Sequence, residues 1–222
     1  MSTSQRAPGT GRRSGSPATP TTGIGLTLPG GWFPIDPADP VRRATQIQQL
    51  VDTRISPAPE YAAIRQTLLD ALQAQATAAA ESAWLLAIGA LEMFDPPVPV
   101  SLVGARCPGT TVGYGLERLI STVEDRHPDA TLDLGEGAFG PLLRALRTAT
   151  TADIPMAVAE YWTDLGLGDD RLTTLVFTVP EQTFAAPLLV FFDAVASTLR
   201  TADAATGWQV GEPYPLPLEG LS

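Results

Sequence analysis

The sequence predicts an α+β fold in which helices pack on a mainly antiparallel sheet of about six or seven strands. Three observations lead to this prediction. Short apolar runs alternate with turns rich in glycine, proline and aspartate; several segments carry apolar residues at helical spacing; and an amphipathic helix closes the folded part. The length of 222 residues fits one such domain with a tail at each end.

The first part of the chain predicts one strand and then two helices. Residues 25–29 alternate weakly between turn residues, which indicates a short strand. Asp39 and Pro40 predict a helix start, because the carboxylate can cap the helix and proline has no N–H to leave unpaired. A second helix is expected from Glu60, after a proline-rich break. The apolar face of the first helix contains Val41, Ala44, Ile47, Val51 and Ile55.

The rest of the chain predicts further strands and two more helices. Strands are expected at residues 84–94, 100–107, 130–134, 140–148, 155–165 and 171–180, with a helix before residue 126. Glycine and aspartate at residues 166–170 predict a hairpin between the last two strands. The closing helix begins at Pro187, and its spacing extends to Leu199. Phe192 is expected in its buried face, and Thr198 is expected to tolerate alanine.

The domain boundaries follow from composition. Residues 1–22 consist mainly of Ser, Thr, Pro and Gly and are predicted to be a disordered tail. Residues 23–204 are predicted to form the single α+β domain. Residues 205–222 are predicted to be a proline-rich tail that cannot form a helix.

The charge and cysteine content exclude several classes of function. The formal net charge is −10 and every one of the 14 basic side chains is arginine, which argues against nucleic-acid binding and removes lysine chemistry. Arginine without lysine, together with high alanine and proline, is typical of a GC-rich, actinobacterial genome. A single cysteine allows no internal disulfide. With no secretory signal and no membrane-spanning run, a cytoplasmic location is expected.

No catalytic, metal or cofactor site is predicted. Leu28 and Arg118 stand where the third glycine of a dinucleotide-binding motif would be. His127 is the only histidine, and it is expected about 20 Å from Cys107, at the other end of the third helix. The acidic pairs are expected in turns or at a helix end, where water solvates them. These pairs are Glu124/Asp125, Asp133/Glu136 and Asp169/Asp170.

Five aromatic residues are the candidate interaction sites. Trp32, Tyr161 and Trp162 can either pack in the core or contact a partner. Tyr161 and Trp162 are neighbours on a predicted strand, so they point to opposite faces of the sheet. Trp208 and Tyr214 lie in the proline-rich tail and suggest docking, either on this domain or on another protein.

The layout resembles the PsbP/LpqN-like α+β fold over about residues 24–203. The resemblance depends on Leu28, Pro29, Gly31 and Trp32 in the first strand and turn, and on Tyr161, Trp162 and Phe177 in the last hairpin. It implies a non-enzymatic binding or assembly protein, since members act on photosystems, on a small nuclear-import GTPase or as lipoproteins. The chain departs from the lipoprotein members because no cysteine follows a signal peptide.

These observations predict a cytoplasmic accessory or assembly protein that is not an enzyme and that contacts an unidentified protein partner. A link to a secretion or envelope system is the finer expectation, and it comes from the family resemblance. Two alternatives stay open: a small hydrolase or ligand-binding enzyme that uses carboxylates in a cleft, and a structural subunit of a larger assembly. Neither a cofactor nor insertion into a membrane is expected.

Overall fold

The computed structural model describes residues 23–92, 94–95, 97–110, 115–151, 153–167, 170–181, 184, 186–202 and 207–210. The strands are β1 Gly23–Leu28, β2 Phe33–Ile35, β3 Ala83–Leu91, β4 Val98–Pro108, β5 Thr131–Gly137, β6 Gly140–Thr151, β7 Ile154–Thr163, β8 Arg171–Pro180, β9 Arg200–Ala202 and β10 Gly207–Val210. The helices are α1 Pro40–Arg54, α2 Ala62–Ala79, α3 Gly115–Arg126 and α4 Ala186–Ala196, and a short 3-10 helix, Pro59–Tyr61, precedes α2.

The large sheet confirms the predicted α+β class. Its seven strands lie in the order β2-β3-β4-β8-β7-β6-β5, and every neighbouring pair is antiparallel. A tight turn joins β5 to β6, and another joins β6 to β7, as the apolar runs between turn residues predicted. The central contact is different, because β4 pairs with β8 although α3 and three strands lie between them in the sequence.

A small second sheet has the order β10-β1-β9. β1 pairs with β9 in antiparallel fashion and with β10 in parallel, where Leu26 lies opposite Trp208. Residues 207–210 therefore belong to a sheet, although they fall in the segment that the sequence assigns to the C-terminal tail. Residues 1–22 and Tyr214 lie outside the described residues.

One face of the large sheet packs against α4 and β1. Phe177 of β8 is fully buried at the centre of this core, and its ring stacks on Phe192 of α4 with 4.5 Å between centroids. Trp32 lies in the same core, beside Phe191 of α4. A methyl group at Gly89 of β3 would lie 2.7 Å from the Trp32 ring, so the glycine leaves room for the indole.

The other face of the sheet is covered in two places. Helices α1 and α2 cover β2 and β3 at one end, through a cluster that contains Ile35, Ile47, Val51 and Leu86. Helix α3 covers β6, β7 and β8 near the other end, where it packs on Leu143, Trp162 and Leu172. Both faces of the central strands are therefore buried, which explains their nearly continuous apolar runs.

The predicted cap of α1 is confirmed, whereas Val41 and Ala44 of its predicted apolar face are exposed, and the predicted end of α4 is corrected. Asp39 caps α1, since its Oδ1 accepts from the amides of Val41 and Arg42 at 2.9 and 3.0 Å. The closing helix ends at Ala196, whereas its apolar spacing predicted a helix to Leu199. Leu199 is buried as expected, but it lies in the bend that leads to β9. Within the described residues, the helices include none that is both long and apolar enough to cross a membrane.

Candidate functional site

A buried carboxylate connects α3 to the large sheet. Glu160 of β7 is 2% exposed. Its Oε1 accepts from Nε and Nη2 of Arg147 at 2.9 and 2.7 Å. Its Oε2 accepts from Trp162 Nε1 at 3.0 Å and lies 3.2 Å from Nε2 of His127. Because a buried charge must be paired and hydrogen-bonded, these contacts are what allow Glu160 to lie beneath α3.

The end of α3 is held at two further points. Cζ of Arg126 lies 5.6 Å from the centroid of the Trp162 ring, which is a cation–π geometry. Nη2 of Arg126 also donates to the carbonyl of Pro108 at 2.9 Å, at the end of β4. The Glu160 cluster, made of Glu160, Arg147, His127, Trp162 and Arg126, therefore fastens the C-terminal end of α3 to three strands.

The sequence predicted that the length of α3 would separate Cys107 from His127, and the structure does not support this assumption. The prediction assumed that the chain leads from β4 directly into the start of α3. Instead the amide of Thr110 donates to Thr122 Oγ1 at 2.9 Å, so the residues just after β4 lie beside the C-terminal half of the helix. The end of α3 thus lies beside the end of β4. The two residues still have different surroundings: Cys107 packs in the apolar cluster under α3, and His127 contacts Glu160.

A second polar cluster lies on the opposite face and holds α4. The hydroxyl of Tyr161 donates to Oδ1 of Asp193 at 2.6 Å. Nη1 of Arg144 lies 2.8 Å from both carboxylate oxygens of Asp193, and Nη2 donates to Asp133 of β5. Burial, reinforced by the hydrogen bond to Asp193, raises the pKa of Tyr161 well above its ordinary value. The phenol is therefore a neutral donor. The Asp193 cluster, made of Asp193, Tyr161, Arg144 and Asp133, joins α4, β7, β6 and β5.

The large sheet ends at an exposed strand. β5 pairs with β6 on one side, and in the described part of the chain no strand pairs with its other side. We call this free side of Thr131–Gly137 the β5 edge. Leu134 at its centre is 50% exposed. Alternate residues of an edge strand direct N–H and C=O groups away from the sheet, so the β5 edge offers a row of backbone groups for pairing.

A cleft of about 490 Å³ opens where β5 begins. We call it the β5 cleft, and its lining residues are Asp129, Thr131, Leu146, Arg147, Thr148, Ala157, Val158, Glu181 and Phe184. Its acidic groups are the carboxylates of Asp129 and Glu181, while Leu146, Ala157 and Phe184 supply apolar wall. The guanidinium of Arg147 is bound to Glu160, so its charge is already balanced.

The aromatic candidates do not form an exposed surface. Trp32 is 4% exposed, and Tyr161 and Trp162 are each 2% exposed. Tyr161 and Trp162 do point to opposite faces, and both are buried because α4 covers one face and α3 the other. These three side chains pack inside the domain, so their positions do not support a role in partner contact. The backbone of Trp208 pairs with β1, and Tyr214 lies outside the described residues.

The acidic pairs also differ from expectation. Asp133 and Glu136 lie in β5 and not in a turn, and Asp133 forms an ion pair with Arg144. Glu124 and Asp125 are exposed on α3, as the sequence predicted. Asp169 lies outside the described residues, and the carbonyl of Asp170 accepts from Arg118 Nη2 at 2.7 Å. No group of three or more potential metal ligands occurs among the described side chains.

Sequence reasoning missed the residues that organise these clusters, namely Arg144, Arg147, Glu160 and Asp193. A signal for them exists, because Glu160 and Asp193 are the single charges of β7 and α4, and Arg144 and Arg147 are the two charges of β6. Such a charge must find a partner when it is buried. The sequence does not show which partner it finds, since the pairings depend on the order of the strands.

The comparisons with known proteins give distant similarities. No family model and no curated protein matches the sequence. A crystal structure from Bacteroides thetaiotaomicron is similar over 53% of this chain and 38% of its own, with 15% identity and a TM-score of 0.34. The structure of LpqN, which is involved in cell envelope biogenesis of Mycobacterium tuberculosis, is similar over 85% of this chain and 87% of its own, with 10% identity and a TM-score of 0.39.

This chain thus spans 38% of the length of the Bacteroides protein. At these TM-scores neither similarity carries an argument about function. The resemblance to the PsbP/LpqN-like family stays a prediction from the sequence, and function must be argued from the geometry of the chain itself.

Proposed function

We propose that the protein is a non-enzymatic accessory protein that acts through protein–protein contact, and that the β5 edge is its contact surface. The observation that supports this most directly is the free side of a seven-residue strand at the end of the large sheet. An extended segment of another protein can add to such an edge through main-chain hydrogen bonds.

The composition of β5 leaves this edge open. Natural proteins commonly protect edge strands with proline, lysine, a bulge or a very short strand. β5 contains neither proline nor lysine, it pairs with β6 in continuous register, and Leu134 is half exposed. Within the strand itself, the protecting side chains are two acidic ones, Asp133 and Glu136.

The two polar clusters give the edge a rigid base. Arg144 binds Asp133 on β5 and Asp193 on α4 with the same guanidinium group. Arg147 of β6 is fixed by buried Glu160. A strand that is already held in place loses little conformational freedom when a partner binds, and this favours affinity. In this proposal the ionisable groups of both clusters serve to position helices and strands.

The location and biological context belong to the same proposal. A cytoplasmic location and a link to a secretion or envelope system are both expectations from the sequence. The identity of the partner protein would decide between this context and others.

Crosslinking in the native cells tests the proposed function. A photo-crosslinking amino acid is placed at position 134 on the β5 edge or, as a control, at position 190, where Val190 is 57% exposed on α4. We expect one crosslinked protein at position 134 that is absent at position 190. An excess of wild-type chain should compete for this crosslink, and an excess of the Leu134→Lys chain should not. If position 134 gives only the background of position 190, the β5 edge is not a contact surface.

A further inference from the structure

We infer that the occupant of the β5 edge is an extended basic segment of a partner protein, with an arginine or lysine side chain in the β5 cleft. This inference rests on the proposed function and adds the chemistry of the partner. Three properties of the described residues carry it: the position of the cleft, its charge, and the different character of the two faces of β5.

The β5 cleft lies on the path of an added strand. Thr131 is the first residue of β5 and also lines the cleft, and Leu146, its partner on β6, lines the cleft beside it. A segment that pairs along the β5 edge must therefore pass the mouth of the cleft. One side chain of that segment can then enter it while the backbone stays paired.

The charge around the edge is acidic. Asp129 and Glu181 line the cleft, and Glu136 is exposed near the other end of β5. Two nearby cations are balanced inside the protein, because Arg147 is bound to Glu160 and Arg144 is bound to both Asp193 and Asp133. Arg126 lines the neighbouring pocket, where its guanidinium lies over the Trp162 ring. Electrostatic complementarity thus favours a basic occupant and disfavours an acidic one.

The walls of the cleft suit a long cationic side chain. Arginine and lysine bury their methylene stems against apolar surface while the charged group reaches polar partners. Leu146 and Ala157 provide such surface, and the ring of Phe184 adds a face on which a guanidinium can stack. The volume of about 490 Å³ is ample for one such side chain.

The two faces of β5 prescribe an alternating sequence in the partner. Thr131 and Asp133 lie on the face of the cleft, since their partners on β6 are Leu146 and Arg144. Leu134 lies on the opposite face, across from Leu143 in the cluster under α3, and Glu136 shares that face nearer the end of the strand. A strand beside β5 therefore places cationic residues on one face and apolar residues next to Leu134 on the other.

Peptide binding to the purified full-length chain tests the inference. The probe is a fluorescein-labelled peptide of about nine residues that alternates arginine and valine, a length typical of one strand. Its affinity is measured by fluorescence anisotropy at several salt concentrations. We expect saturable binding that weakens with salt, and at least about tenfold weaker binding of a peptide that alternates glutamate and valine.

Two controls separate strand addition from simple attraction between an acidic protein and a basic peptide. A peptide with the same side chains but with alternate backbone nitrogens methylated keeps its charge and cannot pair, so it should bind at least about tenfold more weakly. On the protein, Leu134→Lys and Glu181→Gln should weaken binding of the first peptide. Val190→Lys and Glu124→Gln make the same changes of charge away from the edge and should leave binding unchanged.

Three results would overturn the inference: equal binding of the arginine and glutamate peptides, equal binding of the methylated peptide, or no effect of the two edge variants. If crosslinking at position 134 still identifies a partner in any of these cases, the proposed function survives and only the basic chemistry is wrong. If sedimentation shows a dimer that Leu134→Lys dissociates, the occupant is a second copy of this chain. In that case, too, the inference fails.

Discussion

Single polar residues have larger structural roles in this protein than their types suggest, and Thr198 is the clearest case. The sequence predicted that Thr198→Ala would be nearly silent. In the structure, Thr198 Oγ1 accepts from the amide of Thr27 at 3.0 Å and lies 2.8 Å from the carbonyl of Val195. The hydroxyl therefore connects the end of α4 to β1, and the expectation of a silent substitution is withdrawn.

We now predict that Thr198→Ala lowers the free energy of unfolding by about 1–3 kcal/mol, because the Thr27 amide loses its partner in a partly buried place. Urea unfolding measures the change. Thr53→Ala is the matched control, since Thr53 is exposed and bonds only to a carbonyl within α1. It should change the free energy by less than about 0.5 kcal/mol. Equal effects of the two substitutions would show that the contact to β1 has no energetic importance.

The pKa of Tyr161 makes stability depend on pH in the alkaline range. Its folded-state pKa is raised above the ordinary value, mainly by burial. Tyr161 therefore contributes stability that is fully present below about pH 10 and is lost as the pH rises further, because only the unfolded chain releases this proton. We predict that the wild-type chain loses stability more steeply above about pH 10 than Tyr161→Phe does.

Urea unfolding between neutral pH and about pH 11 checks this prediction, with Tyr61→Phe as the control for an exposed tyrosine. At neutral pH, Tyr161→Phe should itself be less stable by about 1–3 kcal/mol, since Asp193 loses a hydrogen bond. The control should follow the wild-type pH profile. A Tyr161→Phe profile that is parallel to wild type would show that the buried phenol is not coupled to unfolding.

At the scale of elements, apolar spacing predicted burial better than it predicted conformation. The spacing of the closing helix correctly placed Phe192 and Leu199 in the core. It did not show that the helix ends at Ala196, because a residue in the bend before β9 can be buried just as well. Strand β2 has only three residues and no period of its own, so no pattern of residues predicted it.

The importance of α4 for the core is tested by Phe192→Ala. Phe192 is fully buried and stacks on Phe177, so truncation should cost about 3–5 kcal/mol through lost burial and a cavity. This is a large share of the stability of a typical domain, and we expect poor solubility or a much lower urea midpoint. Val190→Ala, on the exposed side of α4, should change the free energy of unfolding by less than about 0.5 kcal/mol. A fully stable Phe192→Ala chain would mean that α4 does not form the core.

At the scale of the whole molecule, the sequence predicted the α+β class and most strands but not their order. Tight turns specify the neighbours β5, β6 and β7. Nothing local specifies that β4 pairs with β8, or that residues 207–210 return to β1, because these contacts join distant parts of the chain. The strand order in turn decides which strand is left at the edge, so the β5 edge was beyond sequence reasoning.

The dependence on strand order also explains why the candidate site could not be predicted from the sequence. Aromatic residues were the predicted interaction sites because they are common at interfaces, yet Trp32, Tyr161 and Trp162 are core residues. The surface that we propose instead consists mainly of backbone groups, which have no distinctive signature in the sequence. Only its acidic side chains and Leu134 are visible in the sequence. They do not indicate a contact surface until the strand order shows that β5 is an edge strand.

Amide hydrogen exchange along β5 tests the central claim most directly. The alternating arginine–valine peptide, or the partner identified by crosslinking, is added to the full-length chain, and exchange is followed by mass spectrometry. If a strand adds to the β5 edge, the outward-facing amides of residues 131–137 acquire hydrogen-bond partners and exchange more slowly, while those of α4 are unchanged. Binding that leaves exchange in β5 unaltered, or that slows it in another element instead, would contradict the account.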